Sequence, residues 1–472
     1  MAKHGQFAPL PQPIGSRINR PLQNDLPRSN SAQRIHPVKP GQTHCCPVKE
    51  ELKMWICFIN KVLARHVDVI DLEAGMLVAW EMPTSSPVFA QVMSMLHPQT
   101  FAQCAARHPL RRRPRGLSVY DHFLALCFAQ LTYRESLRDL EACLNARPSL
   151  NYHLGFRGRI TRTNLAYANE RRDWRLFATV AERLMARARR LYAAEPMDPD
   201  VPNLAFALDS SLIHLSAKLF PWALGGGPRK TTAVKLHVLL SLRGSLPAWT
   251  AISPGPFPDV KMLEVLPVEP GCFYIMDRGY LDFSRLHQIH VQGGFFVVRS
   301  RRWLGYRVVQ SRPVDQSQGL RCDQTIRLTN PHSKRGYPGE LRRVRIHDAE
   351  KKKTITVLSN HFGLPAQIVA QFYKRRWQVE LFFKWIKQHL RMRGFLGQSP
   401  NAVQCQLWAA ICSYLMLAIL KKELQLTQSL HEMAQIISIH PFEQTPVSEL
   451  LMKNTLQNPA DQQQNLFNFN LL

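Results

Sequence analysis

Residues 372–391 read FYKRRWQVELFFKWIKQHLR. The stretch carries one acid, Glu380, among Lys374, Arg375, Arg376, Lys384, Lys387 and Arg391, and the nearest other acids are Glu350 and Glu423. It has no Gly or Pro and is rich in helix formers, so it predicts a single helix. At about 100° per residue, Tyr373, Arg376, Trp377, Glu380, Lys384, Lys387 and Arg391 share a stripe roughly 100° wide. Phe372, Val379, Phe382, Phe383, Ile386 and Leu390 form an apolar arc beside it. The expected helix therefore buries one face and shows one carboxylate among bases on the next. One reading of that stripe is a surface i,i+4 pair, Glu380–Lys384, worth a few tenths of a kcal/mol. The other is a metal-binding carboxylate within a phosphate-binding surface. Mg²⁺ takes one or two carboxylates together with substrate phosphate, so this second reading needs another acid on a rigid element.

Charge points the same way. The chain has 472 residues, room for two or three domains. Lys and Arg number 61 against 34 Asp and Glu, for a net charge of +27, and the pI is near 10.1. Such an excess favours a polyanionic partner and fits nucleic acid, although ribosomal and membrane-surface proteins share it. The ten cysteines include no C-x-x-C pair. Cys45 and Cys46, beside His44, lack a second pair at zinc-site spacing, so the cysteines read as reduced thiols of a cytosolic protein. The start, MAKHGQFAPLPQPIG, has no apolar core of a signal peptide. The longest apolar run, Leu407–Leu420, has 14 residues, short for a membrane span and suited to a buried helix.

Outward from the opening stretch, the chain divides by pattern. Residues 1–85 read as a mostly disordered extension, Pro- and Gln-rich to residue 50, with a modest amphipathic run after it. Residues 86–198 are helical in period. The basic loop LRRRPRGL, with Arg111, Arg112 and Arg113, makes this region a candidate DNA-binding domain; a bundle with a solvated charged face has the same pattern. Residues 199–298 change period. NLAFALDSS is an apolar run ending in Asp209, followed by the strand-like AVKLHVLLSL and LPAWTAIS. CFYIMDRGY is a second apolar run, ending in Asp277, followed by a helix-like SRLHQIHVQ and the strand GGFFVVRS. A carboxylate at the end of a buried strand is rigidly held and suited to hold metal. Residues 299–360 hold short β-like runs (RVVQSRPV, DQTIRLT, ELRRVRIHD, TITVLSN) and read as a β-rich insertion. Residues 361–400 return to the helix of Glu380, and residues 401–472 read as a helical region with a polar tail. Two strand-end aspartates and a helix glutamate suit a two-metal phosphoryl-transfer site.

Tyr373, Arg376, Glu380 and Lys387 also match the Y-(2)-R-(3)-E-(6)-K signature of bacterial insertion-sequence transposases of the DDE type, the insertion sequence four family. FALDSS, AVKLHVLLSLRGSLP, FYIMDRGYLDF and LRCDQTI are similar to that family as well, and the resemblance covers roughly residues 86–450. It implies an α/β fold: a ribonuclease-H-like catalytic core interrupted by the β-rich insertion and preceded by the helical DNA-binding domain. It implies that Asp209, Asp277 and Glu380 are the catalytic, metal-binding triad, with two Mg²⁺ ions for which Mn²⁺ substitutes. It also implies that Tyr373, Arg376 and Lys387 hold transposon-end DNA. Lys384, Lys235, Arg278, Trp303 and Arg111–Arg113 are further candidate DNA contacts. For Lys235, which shares a strand face with His237, pairing within the sheet is an equal reading; Trp303 either stacks on a displaced base or fills the core. The implied activity is cleavage at the ends of the element and joining of the 3′-hydroxyls to target DNA. The implied partners are double-stranded DNA and a second copy in a synaptic homodimer, in the cytoplasm at the nucleoid, with no membrane. Residues 1–80 have no counterpart in the family pattern. Pro258-Asp259 stands where relatives often carry His-Asp, which leaves that position without a role. A decayed DNA-binding repressor and another ribonuclease-H-fold nuclease are the rival readings.

Overall fold

The computed structural model describes residues 86–110, 116–195, 204–225, 232–348, 352–389 and 394–453. The expected N-terminal extension, the run Arg111–Arg113 and the end of the polar tail lie outside the described residues.

The centre is a nine-stranded sheet: β1 (Ala205–His214), β2 (Ala233–Ser241), β3 (Leu246–Pro254), β4 (Phe273–Met276), β5 (Phe295–Arg299), β6 (Tyr306–Arg312), β7 (Leu320–Leu328), β8 (Leu341–Asp348) and β9 (Lys353–Ser359), in the order β3-β2-β1-β4-β5-β9-β8-β7-β6. β1, β2 and β3 are antiparallel neighbours, whereas β4 runs parallel to both β1 and β5. The β2–β3 turn places Gly244 at φ 70° and Ser245 at φ 51°, and successive positive φ values suit a tight hairpin turn. The run of strands expected as an insertion is present, yet it does not stand apart. β9 pairs antiparallel with β5, so β6–β9 extend the central sheet.

The helices are α1 (Val88–Met93), α2 (Pro98–Ala106), α3 (Val119–Leu131), α4 (Leu137–Asn145), α5 (Pro148–Asn151), α6 (Arg162–Arg171), α7 (Arg175–Leu191), α8 (Phe283–Val291), α9 (Pro331–Gly336), α10 (Ala366–Arg375), α11 (Trp377–His389), α12 (Pro400–Glu423), α13 (Leu430–Ile439) and α14 (Val447–Lys453). Their starts are written locally. Ser118 and Asp121 exchange hydrogen bonds as a capping box for α3, and Ser399 caps α12 with Pro400 in its first turn.

Alternation along the strands sorts the core into layers. Phe206, Leu208, Tyr274, Met276, Phe296 and Val298 pack on one side with Leu286 and Ile289 of α8. Ala205, Phe273, Ile275 and Val297 face the other side, under Ile368, Val369 and Phe372 of α10. On that second side, Ala207, Val234, Leu236 and Val238 share a core with Val379, Phe383 and Ile386 of α11 and with α12. α12 is buried along its apolar length, as a helix apolar all round must be. The N-terminal helices do not close a core of their own: α7 packs on α12 and β3, and α3 packs on α12.

A buried ion pair ties the extended half of the sheet to the helix side. Arg342 of β8 is 2% exposed; its guanidinium donates to both oxygens of Asp323 on β7, at 2.8 and 2.7 Å, and to the carbonyl of Leu364 just before α10.

Candidate active site

β1 and β4 run parallel with Leu208 opposite Met276. The next residues, Asp209 and Asp277, therefore stand at the same level. β4 ends there, but β1 runs on to His214 beside β2, so Asp209 lies within its strand and not at its end as the apolar run suggests. Both continue the odd-numbered alternation that faces α10 and α11. Glu380 approaches from that side, in the first turn of α11. The single helix expected across 372–391 is two. The ladder breaks at Arg376, where Arg376 N–H donates to the Tyr373 carbonyl and Val379 N–H to the Arg376 carbonyl, both i→i−3 bonds. Arg376 thus stands at a joint between α10 and α11 and points into the gap between the acids.

Its guanidinium bridges two of them. One nitrogen donates to Asp209 Oδ2 at 3.0 Å and the other to Glu380 Oε1. The other oxygen of Asp209, Oδ1, accepts from the Ser210 amide at 2.8 Å. Asp277 Oδ1 accepts from Gly279 N–H at 2.7 Å, which fixes the short turn after β4. Burial pushes the Asp209 carboxyl up to about 6; the Ser210 amide and Arg376 oppose the rise, and Asp277 and Glu380 add to it. Asp209 therefore feels both of the other carboxylates. Hard oxygen donors of this kind suit Mg²⁺ or Mn²⁺. Among the described residues, however, no three His, Cys, Asp or Glu side chains stand ready around one metal position. The cation between Asp209 and Glu380 is an arginine.

The other expected contacts separate by exposure. Arg278 is exposed beside Asp277, and Lys384 is exposed on α11. Lys387 is half-buried, and desolvation lowers its pKa. Trp303 is 91% exposed, which excludes the core reading. Tyr373 is 8% exposed and packs in the core under α10, because the apolar face of α10 is wider than the expected stripe allows. Lys235 is buried, and its ammonium pairs with Asp259 Oδ1 at 3.0 Å and donates to the Phe257 carbonyl at 2.8 Å. Its charge is spent inside the protein, so the reading as a DNA contact gives way to the pairing reading. Asp259, for which the sequence offers no role, also accepts from Ser210 Oγ at 2.6 Å. The signal available for it was its place in the sequence, just ahead of the strand that ends in Asp277.

Known proteins resemble the chain over the segment that holds these residues. The family described as Transposase DDE domain matches residues 202–416, which hold all three acids. The protein named "Putative transposase y4zB" from Sinorhizobium fredii is 32% identical over 247 residues, 52% of this chain and 68% of that protein. The chain belongs to the DDE-type insertion-sequence transposases. The "Probable transposase for insertion sequence element IS5377" of Geobacillus stearothermophilus is 32% identical over 218 residues, 46% of this transposase but only 56% of that relative. A further family, described only as a domain of unknown function, matches residues 84–157, within the N-terminal helices. A cryo-EM structure of the piggyBac transposase synaptic complex with hairpin DNA superposes with a TM-score of 0.36 at 11% identity, covering 81% of this chain and 82% of that one. That score is too low to transfer residue roles.

Proposed function

We propose that this transposase cuts double-stranded DNA at the ends of its element and joins the freed 3′-hydroxyls to a target. Asp209, Asp277 and Glu380 are its catalytic, metal-binding acids. The observation that carries the reading is the register of β1 and β4, which sets Asp209 beside Asp277 on the side from which Glu380 reaches the same arginine. The strand order β3-β2-β1-β4-β5, three antiparallel strands followed by two parallel ones, supports a ribonuclease-H-like core.

Two divalent ions, Mg²⁺ or Mn²⁺, are the cofactor of this reading, and when bound they activate an attacking oxygen and stabilise the leaving one. The chain's own part is to hold and aim. Asp209 is held within β1 and Asp277 just past the end of β4, and the Ser210 and Gly279 amides orient them. Arg376 neutralises the site before metal arrives. Once released from the carboxylates, its planar fork suits a DNA phosphate. Arg278, Lys384 and Lys387 extend the basic surface, and Trp303 offers an exposed ring for a displaced base. On the N-terminal helices, Arg157 stacks on exposed Tyr152 and Arg171 on exposed Tyr167; this region, with Arg111–Arg113, is our candidate for binding the terminal inverted repeat. A homodimer that pairs two ends, working on DNA in the cytoplasm, completes the proposal.

The test is a strand-transfer assay with a duplex carrying one end of the element, a supercoiled target plasmid and Mg²⁺. The reading requires covalently joined product. Cutting without joining would reassign the protein as a nuclease, and binding without cutting as a repressor.

A further inference from the structure

Behind the candidate metal site lies a polar cluster built on one further acid, Asp259, with Ser210, Lys235 and His237. β4 ends opposite Leu208, so β1 beyond that point keeps only β2 as a neighbour. Asp209 therefore sits where the strand loses support on one side. Ser210, the next residue, points to the opposite face of the sheet from Asp209. There its hydroxyl donates to Asp259 Oδ1 at 2.6 Å, while its own amide donates to Asp209 Oδ1 at 2.8 Å. One residue thus links the two carboxylates.

Asp259 is itself firmly held. It opens the 3₁₀ turn Asp259–Glu264. Lys235 pairs with it and also donates to the Phe257 carbonyl, which ties the loop after β3 back onto β2. His237, fully buried, bonds Ser253 at 2.8 Å; burial pushes its imidazole down to about 3, so it is neutral and Lys235 supplies the charge. Lys235 answers the charge of Asp259, and the further bond of Asp259 to Ser210 reaches beyond that pair toward Asp209.

We propose that Asp259 is a positioning residue of the active site. It acts through Ser210 to fix the Asp209 carboxylate, with one oxygen on the Ser210 amide and the other turned toward the metal position. The inference rests on the reading of Asp209 as a metal ligand. Outer contacts of this kind matter because a ligand free to rotate binds metal more weakly, by about 10- to 100-fold on loss of the contact.

The test measures Mn²⁺ binding to the DNA-free, full-length protein by electron paramagnetic resonance, beside cleavage of end DNA and the melting temperature. The variants are Ser210→Ala, Ser210→Thr, Asp259→Asn, the double Ser210→Ala/Asp259→Asn, and Asp209→Asn. Ser210→Ala and Asp259→Asn should each weaken Mn²⁺ binding about tenfold and slow cleavage in step. The double variant should be no weaker than the weaker single, since both interrupt one path. Ser210→Thr, which keeps the hydroxyl, should retain wild-type affinity within about twofold. Wild-type Mn²⁺ affinity in Ser210→Ala, or single effects that multiply in the double, would overturn the proposal; a lowered melting temperature alone would reduce the cluster to a loop clasp. Should Asp259→Asn fail to fold, the Ser210→Ala and Ser210→Thr pair still decides. The Asp209→Asn arm separates the two levels. Wild-type Mn²⁺ binding there removes Asp209 as a ligand and this proposal with it. Lost binding there with intact binding in Ser210→Ala removes only the positioning role.

Discussion

In the proposed metal site, Arg376 occupies ground that the ion would take, and this gives a prediction whose sign is informative. In the metal-free fold its guanidinium bonds Asp209 and Glu380 together and is only 16% exposed. A divalent ion that uses those oxygens has to break at least one of these bonds. A hydrogen bond to a charged group is worth about 1.5–3 kcal/mol. Losing one, or both with some recovery in water, therefore opposes metal binding by roughly 1.5–3 kcal/mol. At about 1.4 kcal/mol per tenfold, Arg376→Gln should bind Mn²⁺ some 10- to 100-fold more tightly than wild type when no DNA is present. The same variant should bind end DNA less well and lose about one unit of its salt slope, because the arginine is no longer there to meet a phosphate. Isothermal titration with Mn²⁺, then DNA binding at two salt concentrations, measures both. If Arg376 instead serves to hold the carboxylates in place for metal, the substitution will weaken Mn²⁺ binding. That result would refute the reasoning.

Three further outcomes follow from the same structure. The Asp209 carboxyl, raised from 3.8 to about 6 by burial, holds its proton more tightly in the fold than in the unfolded chain. The stability it contributes is therefore present below about pH 4 and lost as pH rises to about 6, at most ~3 kcal/mol; denaturant titrations of metal-free protein at pH 5 and pH 7 should differ by about 1.3 kcal/mol from this group in wild type and not in Asp209→Asn, and Mn²⁺ affinity should fall below pH 6 as the proton competes. Asp323→Ala leaves the buried Arg342 charge unpaired and should cost about 3–5 kcal/mol in urea denaturation; a loss below about 1 kcal/mol would show that the pair behaves as a surface one. Trp303→Ala should leave the melting temperature unchanged, since the ring is 91% exposed, while it weakens binding to end DNA; a drop in melting temperature would show that the ring packs.

Much of the fold is written in local pattern. The apolar runs that end in Asp209 and Asp277 announce β1 and β4, alternation announces the insertion strands, and the run Leu407–Leu420 announces α12. Those signals are short-range and strong. What the sequence hides is settled by distant partners. Nothing in FYKRRWQVEL marks a break, since it has no Gly or Pro; the helix divides at Arg376, whose side chain reaches an aspartate 167 residues earlier. Lys235 reads equally as a DNA contact and as a partner within the sheet until the loop at 257–259 is seen to fold over it. Tyr373 reads as part of a basic stripe until the underside of α10 is seen to need it. Asp259 meets Ser210 across 49 residues and Lys235 across the loop it closes, and no local spacing encodes either contact.

The central claim is that Asp209, Asp277 and Glu380 are one catalytic site for DNA cleavage. The most direct measurement is Mg²⁺-dependent cutting of a duplex that carries the end of the element, with DNA affinity taken in the same samples, for wild type, Asp209→Asn, Asp277→Asn and Glu380→Gln. Each substitution keeps shape and removes one charged oxygen donor, whereas the phosphate contacts come mainly from Lys and Arg. All three variants should bind DNA close to wild type and cut it no faster than a metal-free control. Cutting at the wild-type rate by any one of them would contradict the claim.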